Sequence, residues 1–372
     1  MQAVVDLRGS IWVDIIFNSD RLSMLKEISA LPGLTGIVAL GVHCYALVLL
    51  AWLIVHLTLG DRWWWLFLIN TFASYLFVLL PVMIVIGFWL GRGDVWLSTA
   101  VVSLIWLVLY GAYLLPPFTK DVSDAPRLCV MTFNAMTWNT GNQAETLAAL
   151  RQSDADLIAI QELNLQLSEA IERELAELYP YRLLDPSASD QGMAILSRYP
   201  MRESAQRLGG AWIGDPQVVY VDVAGTQVTV INVHNVSFPA VLYGWRKAIE
   251  WSTIQREEQA QRLVHYVKEH PGPTIVVGDF NMGPRNRSYR LMREGFRDAW
   301  LEGGFGFGHT FPGGEATNMN LPFVGDIRVP AWLIRIDYIF HTAELQALRS
   351  DYGPWDTKSD HRPIRTVFGL KP

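Results

Sequence analysis

After residue 126, eight polar side chains stand in or beside the ends of short apolar runs. Asn134 closes LCVMTFN, Glu162 follows LIAIQ, His234 sits in INVHN, and Asp279 and Asn281 sit in TIVVGDFN. Asp337 sits in RIDYIF, and Asp360 and His361 are neighbours in SDHRPI. Any one of them alone reads as a turn former or helix cap, the commoner use of such residues. Carboxylates, amides and two imidazoles at eight such places read instead as a set able to hydrolyse a phosphate ester. That reaction needs positive charge on the phosphoryl oxygens, a group that orients and deprotonates water, and an acid for the leaving oxygen. Glu162 is the first choice as metal ligand, because a hard carboxylate at a strand end suits Mg²⁺ or Mn²⁺, which prefer oxygen. Asn134 would steady Glu162 or a water on the metal through its amide.

These residues need rigid elements behind them. In TIVVGDFN the alternation predicts a strand that puts Asp279 and Asn281 on one side and packs Phe280 on the other, with Gly278 letting the backbone approach a substrate. RIDYIF alternates in the same way, with Ile336, Tyr338 and Phe340 on one face and Asp337 on the other. Further strands are expected in GMAILSR, VVYVDVA and TQVTVINVHN. Helices are expected around Leu147 and Leu150, through Ile171, Leu175 and Leu178 up to Pro180, and between Val241 and Glu269. Many strands with two or three helices outside them suggest two sheets flanked by helices.

The first third of the chain differs in kind. Of 372 residues 51% are hydrophobic, and the mean hydropathy is +0.19, but the apolar excess is concentrated before Pro116. Three runs, Gly36 to Leu57, Trp63 to Leu90 and Val95 to Leu115, are each long enough to cross a bilayer, which takes roughly 20 apolar residues. Trp63, Trp64, Trp65, Trp89 and Trp96 fall beside the polar breaks, where indoles favour the headgroup zone. The late start and the number of runs argue against a signal peptide. The segment IWVDIIF in the tail has a period that would let it lie along the membrane surface. Lys and Arg are slightly more frequent in the first tail and the Arg92 loop, so a cytoplasmic N-terminus and an extracytoplasmic C-terminal domain are expected, in a multi-pass cell-membrane protein. Cys44, inside a run, and Cys129 could hardly be bridged and form no metal site. His43 and His56 in the first run are more simply read as packing or interfacial residues than as a channel. With a formal net charge of −6 and no basic run after residue 126, a nonspecific duplex binder is disfavoured.

Taken in order, MTFNA, LIAIQEL, INVHN, VVGDFN, RIDYIF and SDHRPI closely resemble the endonuclease/exonuclease/phosphatase superfamily, which includes deoxyribonuclease I-like nucleases, neutral sphingomyelinases and inositol polyphosphate 5-phosphatases. The resemblance spans Arg127 to about Leu370. It implies an α/β fold, a four-layer α/β/β/α sandwich, here preceded by a three-helix transmembrane region. The expected organisation is a tail at 1–34, the transmembrane region at 35–116, a linker at 117–126 and the catalytic domain at 127–372. The anchored form also resembles bacterial members tied to glycopeptide resistance, by architecture more than by residues. The resemblance implies that Asp279 orients or deprotonates water and that Asn281 and His234 contact the phosphoryl group. It also implies that Asp337 pairs with His361 beside the scissile phosphate and that Asp360 joins Asn134 and Glu162 near the metal. Whether Asp279 or His361 is the base stays open. Asn232 could orient His234, His309 could line the pocket or form a plain turn, and Arg285 and Arg287 could grip a second phosphate or face solvent.

The leading expectation is a divalent-metal-dependent phosphoesterase whose partners are the lipid bilayer and a lipid-linked phosphate, pyrophosphate or phosphodiester. A greasy rim between Phe238 and Trp251 would suit such a substrate. The alternatives are an anchored extracytoplasmic nuclease and a non-catalytic binding or resistance protein.

Overall fold

The structure, a computed structural model, describes residues 32–115, 126–141, 143–238, 244–321 and 325–370. The tail expected to lie on the membrane, most of the linker, and Val241, Leu242 and Tyr243 of the expected rim lie outside them. The chain divides into two compact units: Met1–Thr58 with Ala73–Gly111, and Leu59–Phe72 with Ala112–Pro372, each considered over its described residues.

The first unit is helical. Its elements are α1 (Pro32–Leu59, whose last residue belongs to the other unit), α3 (Leu80–Leu90) and α4 (Gly93–Tyr110); α2 (Trp64–Thr71) belongs to the second unit. Three segments are long and apolar enough to cross a membrane, Gly33–Leu59, Ala73–Leu90 and Gly93–Leu114. Their apolar side chains point outward, Phe88 and Val108 being 74% and 76% exposed, as lipid-facing helices require. His43 bonds Ser98 at 2.9 Å and His56 stacks on Trp52 at 5.3 Å, which is the packing role expected of them.

The middle span is shorter than the sequence suggests. The largely apolar run Trp63 to Leu90 reads as one span, but Trp64–Thr71 folds with the second unit and the spanning segment begins at Ala73. Asn70, fully buried, donates to the Gly60 carbonyl at 3.0 Å and to Asp61 at 2.7 Å. Those polar contacts close the start of the run into a turn instead of feeding it into lipid.

Among the described residues the second unit holds all the strands: β1 (Arg127–Asn134), β2 (Leu157–Gln161), β3 (Tyr181–Asp185), β4 (Met193–Ser197), β5 (Met201–Glu203), β6 (Gln217–Val223), β7 (Thr226–His234), β8 (Thr274–Asp279), β9 (Arg297–Asp298), β10 (Asn318–Leu321), β11 (Gly325–Arg328), β12 (Asp337–His341), β13 (Leu345–Tyr352) and β14 (Ile364–Leu370). Its remaining helices are α5 (Ala144–Gln152), α6 (Leu165–Glu174), α7 (Trp245–Glu269), α8 (Arg287–Met292) and α9 (Ala299–Gly303). Two mixed six-stranded sheets run β13-β14-β1-β2-β4-β3 and β5-β6-β7-β8-β12-β9, with β10 and β11 as a separate pair.

Each large sheet buries an apolar face under helices. Phe133, Ile158, Ile160 and Leu196 of the first pack with Leu147 and Leu150 of α5 and Leu167 and Ile171 of α6. In the second sheet, Ile231, Val276, Tyr338 and Phe340 pack with Leu263 and Val264 of α7 and Met292 of α8. The opposite faces carry polar side chains that meet between the sheets: Gln161 donates to Asn232 at 2.7 Å and accepts from Thr132 at 3.2 Å. Strand alternation therefore separates an apolar face for stability from a polar face that opens toward the site. Asn232, expected to orient His234, is spent on this inter-sheet contact.

Candidate active site

Strand register builds one row of the site. Asp337 on β12 lies opposite Asp279 on β8, and Asp279 lies beside His234 on the parallel strand β7. Three adjacent strands thus present Asp, Asp and His side by side at one end of the sheet. Asn134 and Glu162, at the ends of β1 and β2, approach from the other sheet, and the loop before β14 brings His361.

Asp279 is the hub. Its Oδ2 accepts from Asn134 Nδ2 and Asn281 Nδ2, each at 3.3 Å, and lies 3.5 Å from His234 Nε2 and 3.8 Å from His361 Nε2. Its Oδ1 accepts the Asn281 amide at 2.8 Å. The Asn134 amide also donates to Glu162 at 3.0 Å, and the Thr137 backbone N–H holds the other Glu162 oxygen at 3.0 Å. His361 Nδ1 and Asp337 Oδ2 are 2.8 Å apart, which orients the imidazole with Nε2 toward Asp279. Asp360 is half-buried, and its charge acts on the His361 imidazole beside it.

Two local explanations change on folding. Asn281 does not join Asp279 through strand alternation: β8 ends at Asp279, and Asn281 takes a left-handed backbone at φ 50° that folds its N–H and amide back onto the carboxylate. Gly278 is needed by the sheet, not by a substrate, since a Cβ there would fall 1.8 Å from the Val233 carbonyl of β7. Phe280 is buried under α7 and α8, as the alternation predicts.

Charge is partitioned unevenly. Burial pushes the Asp279 carboxyl up, but the His361 charge and the His234 hydrogen bond outweigh it and hold it below the usual range. Asp337 faces one imidazole and the Asp279 charge, and burial raises it. Burial also raises Glu162 against the pull of His234. Burial alone would lower both imidazoles; the Asp337 and Asp279 charges carry His361 well above its ordinary value, and Asp279 with Glu162 raises His234.

These residues fit a divalent cation. Asp279, Asp337 and His361 offer ligand atoms all within 4.8 Å of one another. Asp337 Oδ1 is buried with no partner among the described residues, and burial disfavours the charge on Glu162 nearby. Three clustered carboxylates with spare lone pairs are the oxygen-rich surroundings a hard cation stabilises.

Several supporting residues have no sequence pattern of their own. Ser359 accepts the His361 amide at 3.0 Å and donates to the Asn134 carbonyl at 2.6 Å, tying two site loops together. Asn235 accepts from Asn281 Nδ2 through its carbonyl at 3.0 Å, while its own amide atoms are buried without a partner among the described residues. Trp138, one residue after the Glu162-binding Thr137, is 73% exposed. Its place in WNTG gives only an aromatic beside a turn, so nothing in the spacing marks it. His309 donates from Nδ1 to the Trp332 carbonyl at 2.9 Å and stacks on Phe307, a loop-holding role. Arg287 lies 3.5 Å from Glu257, so its guanidinium already faces a carboxylate.

Comparison with known proteins places this geometry. The model described as the Endonuclease/Exonuclease/phosphatase family matches residues 136–361. A UPF0294 protein of Vibrio vulnificus strain CMCP6 is 27% identical over 256 residues, covering 64% of this chain and 78% of that protein. Its counterpart in strain YJ016 is 27% identical over 263 residues, covering 67% and 80%. Among solved structures, D. rerio TDP2 complexed with single-strand DNA product superposes with a TM-score of 0.50 at 16% identity, over 66% of this chain and 99% of that one. These matches carry the family and the fold, and do not extend to the glycopeptide-resistance type.

Proposed function

The chain belongs to the endonuclease/exonuclease/phosphatase family, a family of phosphoester hydrolases, and from that premise we propose that it cleaves phosphodiesters with Asp279 acting on the attacking water. The observation that carries this reading is the Asp279 hub, a carboxylate kept ionised by two imidazoles and steered by two amides. In this reading Asp279, rather than His361, accepts the proton of water, a choice supported by the lowered Asp279 carboxyl and the raised His361 imidazole. His361, held as the imidazolium by Asp337, and His234, raised by Asp279 and Glu162, meet the phosphoryl oxygens and protonate the leaving oxygen. Asn281 donates to the phosphoryl group. Glu162, Asn134 and Asp360 would hold Mg²⁺ or Mn²⁺ together with the Asp279 side of the cluster. A cation bound there neutralises charge on the phosphoryl oxygens. The layering we read as α/β/β/α.

For the substrate, nucleic acid is the class to test first. Trp138 stands exposed beside the turn that binds Glu162, as a platform on which a base could stack, and the similar TDP2 structure is described with a single-strand DNA product. A lipid-linked phosphodiester is the second reading, favoured by the three candidate spans and by Trp245 and Trp251, both partly exposed on α7. The Lys and Arg bias supports an extracytoplasmic catalytic unit.

The test uses full-length protein in detergent or nanodiscs with Mg²⁺ or Mn²⁺, offered single-stranded oligonucleotides and lipid-linked phosphodiesters side by side. Cleavage should vanish with a chelator and fall about a thousandfold in Asp279→Asn, within the range that general acid–base groups contribute. Cleavage of lipid substrates alone would replace the nucleic-acid reading; cleavage of neither would leave a binding protein.

A further inference from the structure

The segment between the first two spans, Leu59–Phe72, folds as part of the catalytic unit, and it lies against the turn that follows Asn281. Asp61 Oδ2 accepts the backbone N–H of Arg287 at 2.6 Å, while Asn70 donates to the other Asp61 oxygen at 2.7 Å. Thr71 Oγ1 donates to Asn286 Oδ1 at 3.1 Å, and Asn286 Nδ2 donates to the Phe67 carbonyl at 3.3 Å. The same Asn286 oxygen accepts the Gly283 amide at 2.6 Å. Gly283 is closed in: a Cβ would lie 3.3 Å from Thr71 Cα and from Thr71 O. The turn at 283–287 is therefore held from outside the sheet, two residues beyond Asn281.

A second contact reaches the other rim. Arg256 of α7 is fully buried, its guanidinium 4.8 Å from the Phe67 ring and 4.7 Å from the Phe238 ring, which themselves meet edge to face at 5.5 Å. It donates to the Val236 carbonyl at 3.1 Å, two residues beyond His234. A buried guanidinium is costly unless charge and hydrogen bonds compensate it. Burial brings it down to about 9, and Asp61 and Asp279 pull the other way. One short segment thus supports the loops behind both Asn281 and His234. Its outward residues Trp63, Trp64 and Trp65 stay partly exposed, as a helix with one committed face would leave them.

We propose that Leu59–Phe72 is a positioning element of the active site, with Asp61 and Phe67 as positioning residues that act through Asn286, Arg287 and Arg256 on Asn281 and His234. The proposal rests on the phosphodiesterase reading for its kinetic consequence only. With three spans, the chain between the first and second and the chain after the third fall on the same side of the membrane, so the segment is available to the catalytic unit by topology alone. The segment between the spans then contributes structure to the site, and catalysis depends on residues that a sequence boundary at 116 would cut away.

The experiment compares full-length wild type with Asp61→Ala, Asp61→Asn and Phe67→Ala in nanodiscs, reading amide hydrogen exchange alongside kcat and KM. Asp61→Ala should speed exchange of the peptide spanning 281–290 about tenfold while leaving β2 and β4 unchanged, since the turn loses its acceptor and the sheet does not. Its kcat should fall about tenfold with KM within about twofold, because displaced catalytic groups are felt mainly in the transition state. Asp61→Asn, which keeps one acceptor oxygen, should recover part of both. Phe67→Ala should speed exchange at 234–238. Unchanged exchange at 281–290, acceleration spread evenly over the unit, or local acceleration with unchanged kcat would each overturn the proposal. If the wild type cleaves no phosphodiester, the functional reading fails, and the exchange measurement still decides whether the segment supports the two loops.

Discussion

The two faces of β8 and β12 do opposite jobs in the same backbone. On the outer face Val276, Tyr338 and Phe340 are buried with α7 and α8 and make ordinary apolar and ring contacts, Tyr338 stacking on Phe340 at 5.1 Å. On the other face Asp279 and Asp337 are equally buried but carry charge that burial disfavours. The outer face lowers the free energy of folding through area removed from water. The inner face spends some of that stability to hold like charges together, which is tolerable because two imidazoles stand beside them. Stability and catalysis are thus separable by parity along one strand, and the separation can be tested.

The largest effect is expected from the apolar side. Phe340→Ala should cost about 3–5 kcal/mol of unfolding free energy, the usual range for emptying a buried aromatic site, with kcat per folded molecule within about twofold. Chemical denaturation in detergent measures it, and a large loss of kcat at unchanged stability would break the separation.

A smaller effect is expected on the polar face, with the opposite signature. Asp337→Asn should lower kcat about a hundredfold and leave the denaturation midpoint unchanged or raised, since a buried carboxyl whose ionisation is disfavoured is replaced by a neutral amide. His361 loses the charge that raises it, so its value should fall. Activity that needs the imidazolium would then decline at lower pH, and the alkaline limb of the rate profile should move toward acid. A limb that does not move would show that His361 acts in its neutral form.

The smallest effect lies away from both faces. Burial brings the His309 imidazole down to about 4, so the folded chain binds fewer protons than the unfolded chain between that value and about 6.5. Stability from this group is therefore present at neutral pH and is lost as pH falls through 6.5 toward 4. Between pH 7 and pH 5 the loss is about 2 kcal/mol. In His309→Gln that part of the acid sensitivity should disappear; denaturation midpoints at the two pH values compare the variants.

Much of this was legible before folding. The apolar face of β12 follows from alternation at Tyr338 and Phe340, and the membrane-spanning character follows from length and composition alone. The residue types at strand ends announced oxygen-ligand and imidazole chemistry. Less legible was anything that depends on a neighbour distant in sequence. Gly278 reads as room for a substrate until Val233 is placed beside it. Arg256 lies in a helix of many charged residues, and nothing in its spacing announces that Phe67 and Phe238 pack against it. Asp61 stood in the polar break before the apolar run and Asn70 inside the run itself, and they were the available signal that Trp64–Thr71 folds apart from the spanning segment.

By itself the sequence determined which residues are apolar, in what period, and which side chains can carry protons or oxygen ligands, because these are properties of side chains and of local backbone repeat. Only the tertiary structure decided that Asp337, Asp279 and His234 form one row, that a left-handed turn returns Asn281 to Asp279, and that an inter-span segment supports the site. Those outcomes depend on strand register and on long-range packing, and neither is encoded in the spacing of residues along the chain.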